Sequence, residues 1–403
     1  MTDRAWLTEI KTGKKFELGP MFRSPGDGEL SVTFDLGAAA DEFAGNWKKP
    51  GTLWERFGAV MAPLEKQHAV TLGEGNTPLV RSRRFAEKLG LKNLFFKLEN
   101  CNPTGSFKDR QMASAISTGR SWGRTRYATV SSGNVGNALS AYCAALGYDA
   151  YVWVASDTAE GKRRQISVYG AQLFLFPPAG PGRMREQLRL FRGLGPFCAE
   201  RGIVPMISAR PVNPFMVEGT KTMSFEIAAT LGQAPDEVFA TVGGGGLIGG
   251  LHKGFKELVG MEQAKRMPRI NGAQRNDRYF APIEHITDDK CVNGDYFLPL
   301  DGEWAWESIQ DSKGTIASVD MPAITEAQAW LANLEGIFAE PTSAYGVAGL
   351  IEAGRAGRID PDATIVCIVT GNGLKDLAAA DKFAEFFPLH QPKTVNGLSD
   401  SGL

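Results

Sequence analysis

Asn102-Pro-Thr-Gly-Ser-Phe-Lys-Asp-Arg110 follows the apolar run Leu94–Leu98 and leads into a helical stretch over Phe107–Trp122. Strand, Pro-Thr-Gly turn and helix in that order are half of a βαβ unit. Outward from it the alternation continues. Tyr127–Val130, Ala150–Val154, Gln172–Phe176 and Val204–Ile207 are short β-branched or aromatic runs, separated by helical stretches near Asn134–Leu146, Thr158–Tyr169 and Arg183–Arg201. After Asn213 the pattern predicts a helix to about Leu231, a strand at Val238–Val242, a helix from Leu247 and a buried strand at Ile365–Thr370. Strands alternating with helices give parallel sheet. The alternations outnumber those of one mononucleotide-binding half. Two α/β domains are therefore expected, as two open twisted sheets flanked by helices.

The expected organisation has an N-terminal extension at 1–70, where periodicity is weak. A large domain takes 71–114 and 211–390, with an insertion at about 276–317 that carries Trp304 and Trp306. A smaller, mobile domain takes 115–210, and 391–403 reads as a frayed tail. The chain has 403 residues, 43% hydrophobic and 22% charged, which suits a large globular core. Lys plus Arg is 44 against 45 Asp plus Glu, so the basic excess of a nucleic-acid binder is missing. No apolar run reaches the roughly 18 residues of a membrane span, and Met1–Lys15 has no secretory apolar core. The five cysteines are scattered, and the four histidines have no ligand spacing. A metal centre is not expected, and a reducing cytoplasm is the expected location.

Four stretches carry chemistry. Lys108 falls in the first turn of its helix, where the dipole disfavours an ammonium; a lowered pKa suits an imine-forming nucleophile. Ser131-Ser132-Gly133-Asn134 follows a strand and opens a helix, a nest of N–H groups for a carboxylate. Gly243-Gly244-Gly245-Gly246 follows Val238–Val242 and lets the backbone cup a phosphate, yet it is neither a P-loop nor a convincing dinucleotide fingerprint. Thr370-Gly-Asn-Gly-Leu-Lys375-Asp ends the last strand, and its hydroxyl can bond a neutral ring nitrogen. Singly, these also read as a solvated lysine, a helix cap, a glycine turn and an ordinary Gly-Asn-Gly turn. Together they meet the requirements of pyridoxal 5'-phosphate carrying an amino acid.

These motifs resemble the fold type II pyridoxal-phosphate enzymes, the tryptophan synthase β-like group. With Leu72–Leu79 (LGEGNTPL), the lysine stretch and TGNGLKD look most like threonine synthase, over about Gly51 to Leu377. The resemblance implies Lys108 as catalytic lysine, and Phe107, Asn134, Gly243, Gly244, Gly245, Gly246 and Thr370 as cofactor contacts. It implies Ser131, Ser132, Gly133, Asn134, Asn213, Met216 and Lys221 around a small amino-acid substrate, with no nucleic acid or membrane partner. Dimers are common among such enzymes, so a homodimer is the expected assembly.

The chain departs from threonine synthases at several points. It lacks a Cys-x-x-Cys-like pair in its extension, and Val135 stands where a threonine is common. Its four-glycine run resembles the serine/threonine dehydratase and serine racemase branch. Met216 stands where an arginine normally binds the phosphate of O-phosphohomoserine. Losing that charge-assisted fork costs roughly 1.5–3 kcal/mol. The resemblance therefore implies elimination or replacement at Cβ or Cγ of an α-amino acid, with a substrate other than O-phosphohomoserine. The alternatives are threonine synthase proper, with Arg110, Lys221 or Arg275 compensating; cysteate-synthase-like β-replacement; and β-elimination by an ammonia-lyase. A non-catalytic ligand-binding protein is the reading from another class, although a binding module needs no imine lysine.

Overall fold

The computed structural model describes residues 4–62, 66–131, 133–177, 183–276 and 300–383. Near the N-terminus, β1 (Ala5–Glu9), β2 (Lys15–Glu17) and β3 (Leu30–Phe34) pair antiparallel in the order β2-β1-β3. In β3 the buried Leu30, Val32 and Phe34 alternate with half-buried Ser31 and Thr33, a strand with one face in the core. Helices α1 (Leu36–Asn46) and α2 (Leu53–Phe57) follow, α2 entered through a Thr52–Glu55 capping box. The extension is thus an ordered sheet and helix pair, whose short strands gave little periodic signal.

The body begins with β4 (Leu79–Arg81), α3 (Arg84–Leu89), β5 (Asn93–Leu98) and α4 (Lys108–Ser121). The chain then builds a separate parallel sheet from β6 (Arg126–Val130), β7 (Asp149–Ala155), β8 (Gln172–Phe176) and β9 (Val204–Pro205), in the order β8-β7-β6-β9. Its crossovers are α5 (Asn134–Leu146), α6 (Glu160–Val168) and α7 (Arg183–Arg201). Gly147, left-handed at φ 66°, ends α5 as a glycine C-cap does.

The chain returns through α8 (Phe215–Leu231), β10 (Glu237–Thr241), α9 (Gly246–Gly260) and β11 (Arg269–Arg275). It continues with α10 (Gly302–Asp311), β12 (Ile316–Val319), α11 (Met321–Glu335), α12 (Ala344–Arg355) and β13 (Thr364–Val369). These strands join the first two in a six-stranded sheet, β12-β11-β10-β13-β5-β4, parallel except for β4. Thr-Ile-Val-Cys-Ile-Val of β13 is buried after its first residue, as befits a central parallel strand between β10 and β5. One expectation is corrected here. Part of the 276–317 stretch continues the alternation, because Gly302–Asp311 is helical and Ile316–Val319 pairs parallel with β11.

This topology positions the site. The lysine, glycine and threonine turns follow the carboxyl ends of β5, β10 and β13, and the Ser131–Asn134 turn follows β6 of the smaller sheet. Ligands of open α/β sheets collect at such ends.

Candidate active site

Backbone bonds join the lysine turn to the Thr370 turn. Phe107 N–H donates to the Thr370 carbonyl at 3.1 Å, Asn372 N–H donates to Gly105 O at 2.9 Å, and Ser106 bridges Gly371. The Pro-Thr-Gly turn is held by Asp109, whose carboxylate accepts from Thr104 N–H and Oγ1, both at 2.7 Å. Lys108 is half-buried, with its Nζ over the Phe107 ring at 4.1 Å and donating to Ser208 Oγ at 2.7 Å. Ser208 donates to Gln111 Oε1 at 2.7 Å, and Gln111 Nε2 donates to Thr220 Oγ1 at 2.9 Å. Burial lowers Lys108 to about 7 against the opposing pull of Asp301 and Glu340. The direction follows the sequence reading, and burial is its main cause.

The glycine loop has two halves. A Cβ on Gly243 or Gly244 would meet nothing within 4 Å, so this half borders open space. Gly245 has φ +97°, and a Cβ there would stand 2.4 Å from the Asp301 carbonyl oxygen. Thr370 is 4% exposed and shares a 2.8 Å hydrogen bond with Ser343 Oγ. Ser343 Oγ also accepts from Gly371 N–H at 2.6 Å, which fixes the turn.

At the smaller sheet, Ser131 Oγ accepts from Gly133 N–H at 3.1 Å and Gly136 N–H at 3.4 Å, capping α5 from outside. Ser132 lies outside the described residues. Asn134 reaches across to the large sheet: its Nδ2 donates to Glu340 Oε1 at 2.6 Å, and its Oδ1 accepts from Lys375 Nζ at 3.0 Å. Lys162 of α6 pairs with Glu340 at 2.8 Å. Burial lowers Lys375 to about 8, while Glu340 and Asp109 oppose the fall.

Three residues expected around the substrate are buried in packed surroundings. Lys221 is fully buried between Glu218 (2.6 Å) and Glu257 (2.7 Å), over the Phe34 ring at 4.2 Å. The two carboxylates belong to α8 and α9, and Phe34 ends β3 of the N-terminal sheet. Asn213 Nδ2 donates to Pro205 O at 3.0 Å, and its Oδ1 accepts from Phe215 N–H at 3.1 Å, which caps α8. Met216 is 1% exposed in the hydrophobic core. Arg110, a candidate substitute cation, is fully buried and paired with Glu99 and Glu226. Arg275 ends β11 opposite Val319. Conversely, Ser208, Glu340, Asp301 and Ser343 escaped the sequence reading, because each enters from a distant segment without a motif of its own.

The arrangement fits the cofactor implied by the motifs: a loop with open space for an anion, an amine near neutrality and an uncharged hydroxyl at a strand end. Comparison with known proteins agrees. Residues 70–371 match the family model described as pyridoxal-phosphate dependent enzyme. The threonine synthase of Methanosarcina acetivorans is 34% identical over 363 residues, 87% of this chain and 86% of that protein. The threonine synthase of Methanocaldococcus jannaschii is 32% identical over 397 residues, 93% and 94% of the two chains. Among solved structures, O-ureido-L-serine synthase superposes with TM-score 0.59 at 22% identity, covering 78% of this chain and 94% of that one. Maize serine racemase gives TM-score 0.58 at 21% identity, covering 77% and 92%. The chain belongs to the pyridoxal-phosphate-dependent enzymes, with the fold type II architecture.

Proposed function

We propose that this pyridoxal-phosphate-dependent enzyme performs elimination or replacement at Cβ or Cγ of an α-amino acid whose side chain is not held by an arginine fork. The bound cofactor would supply an electron sink for charge developing at the α-carbon. The observation that carries the reading is the Lys108 amine, lowered to about 7 with a hydroxyl as its hydrogen-bond partner. It would hold the cofactor and then move the proton at Cα, a task matched by a pKa near the working pH. Gly243 to Gly246 would hold the phosphate, and Thr370 would present its hydroxyl to the ring nitrogen. Phe107 and Asn134 would border the ring. A hydroxyl partner leaves the ring less electron-withdrawing than a carboxylate partner would, which favours elimination and replacement. Ser131 to Asn134 would receive the substrate carboxylate, and residues 115–210 would close over it and exclude water.

The substrate reading rests on Met216, Arg110 and Lys221. Met216 carries no charge, and the two cations are spent on buried carboxylates. The relatives named threonine synthase favour a second reading, conversion of O-phosphohomoserine to threonine. Steady-state assays with O-phosphohomoserine, O-phosphoserine and serine, following phosphate and keto acid separately, discriminate the two. The first reading expects a low kcat/KM on O-phosphohomoserine relative to a substrate with a smaller or uncharged side chain. A kcat/KM on O-phosphohomoserine above that on the others, with threonine as product, establishes the second.

A further inference from the structure

We propose that Asp301 is a cofactor-binding residue: protonated, its Oδ2 donates a hydrogen bond to the phosphate held by the Gly243–Gly246 loop. The proposal rests on that loop as the phosphate site.

Asp301 is 2% exposed and bound to the loop, its N–H donating to Gly244 O at 2.8 Å. It precedes α10 at the position where an aspartate normally caps its own helix, yet it makes no capping bond. Its Oδ1 instead accepts from Arg210 N–H at 2.9 Å. Its Oδ2 has no partner among the described residues and lies 2.6 Å from where a Cβ on Gly246 would stand. A buried carboxyl oxygen without a partner among the described residues, aimed at the first turn of a 15-residue helix, suits a ligand atom there.

The first turn of a helix attracts an anion, and a glycine loop lets one come close. An ionised Asp301 would repel a phosphate there, whereas a neutral acid would donate to it. Among the described residues, the charged groups facing Asp301 are Arg210, Glu29 and Lys108; the glycine loop and the start of α9, to Gly249, carry none. Arg210 Nε pairs with Glu29 at 2.5 Å and its guanidinium stacks 4.1 Å from the Trp304 ring, so part of its charge is used elsewhere. Burial raises Asp301 to about 7; Arg210 and Lys108 oppose the rise and Glu29 adds to it. An arriving phosphate would raise it further. Binding would then take up a proton above neutral pH, and affinity would fall as pH rises.

The test uses the full-length apoprotein and 4'-deoxypyridoxine 5'-phosphate, which has no aldehyde and cannot react with Lys108. Asp301→Asn keeps the Oδ1 acceptor for Arg210 and offers an amide donor at every pH. The wild-type Kd, relative to the Asn variant, is expected to rise about tenfold from pH 6 to pH 8. Calorimetry at pH 8 in buffers of different ionisation heat should find close to one more proton taken up by the wild type. Parallel Kd curves, or equal proton uptake, overturn the proposal. Gly244→Asp tests the loop by itself: loss of probe binding supports the loop as the phosphate site, and unchanged binding overturns the loop assignment and the proposal with it.

Discussion

Lys108 and Arg110 stand two residues apart at the start of α4, and the protein treats their charges in opposite ways. Arg110 is fully buried, with Nε and Nη2 on Glu99 at 2.7 Å each and Nη1 and Nη2 on Glu226 at 2.8 and 2.7 Å. Lys97 completes the cluster, donating to Glu226 at 2.6 Å and to Thr77 O at 2.7 Å. Two cations face two carboxylates, and the helix is fixed to β5 and α8. Lys108 has a serine hydroxyl instead, and the acids nearest it, Asp301 and Glu340, only moderate its burial. The compensated cation is scaffold; the uncompensated one is the proposed reagent. Local sequence marks Lys108 as the amine but does not show that Arg110, in the same nine-residue stretch, is already paired.

The sharpest way to break this contrast is Lys108→Ala. Turnover should fall to the detection limit, and the visible absorbance of the lysine-linked cofactor should vanish. The melting temperature of the apoprotein should stay close to wild type, because the amine's hydrogen bond to Ser208 is a modest contribution. Steady-state assay, an absorption spectrum and thermal melting check the three. Substantial turnover by the alanine variant would show that Lys108 is not the reagent.

Glu226→Gln attacks the other side. Burial opposes ionisation of Glu226, but Arg110 and Lys97 together hold it well below the usual carboxylate range. Removing its charge leaves Lys97 and Arg110 under-compensated in the interior. Breaking a buried network this way costs about 3–5 kcal/mol, read from urea denaturation of the apoprotein. The fraction that remains folded should retain its cofactor spectrum. A variant of normal stability with a lost spectrum would invert the roles given to the two clusters.

The comparison also explains what the sequence made legible. Asn134–Leu146 and Arg183–Arg201 are helices with the bounds expected, and β8 matches Gln172–Phe176, because local periodicity and glycine stops define them. Lys108, the glycine loop and Thr370 lie where the sequence places them, each in a local turn at a strand end. Arg110 and Lys221 were misread as available cations because their carboxylates come from elsewhere in the sequence or from a neighbouring helical turn. Glu226 lies 116 residues from Arg110. Asp301 and Ser208 were missed for the converse reason: their meaning lies in what they face, the glycine loop and the lysine, and no spacing records it. Composition reveals a charge, while only packing reveals whether it is already paired.

The smallest effect expected is kinetic. A lysine lowered to about 7 loses its proton near neutrality, whereas an ordinary exposed lysine does so near 10.4. The neutral amine is the nucleophile. The rate at which apoprotein captures pyridoxal phosphate should therefore rise about tenfold per pH unit below 7 and level off between pH 7 and 8. Stopped-flow absorbance at fixed ionic strength measures it, and initial rates keep it separate from any change in equilibrium affinity. The same amine also affects apoprotein stability. Its folded pKa lies below the unfolded one, so burying it opposes folding at low pH, and that cost fades as pH rises from about 7 toward 10. Glu226 has the opposite linkage: its contribution is present above the unfolded carboxylate pKa and is lost only as pH falls through its depressed folded value. A capture rate that keeps climbing past pH 9 would mean that Lys108 is as well compensated as Arg110, and the distinction between reagent and scaffold would fail at its source.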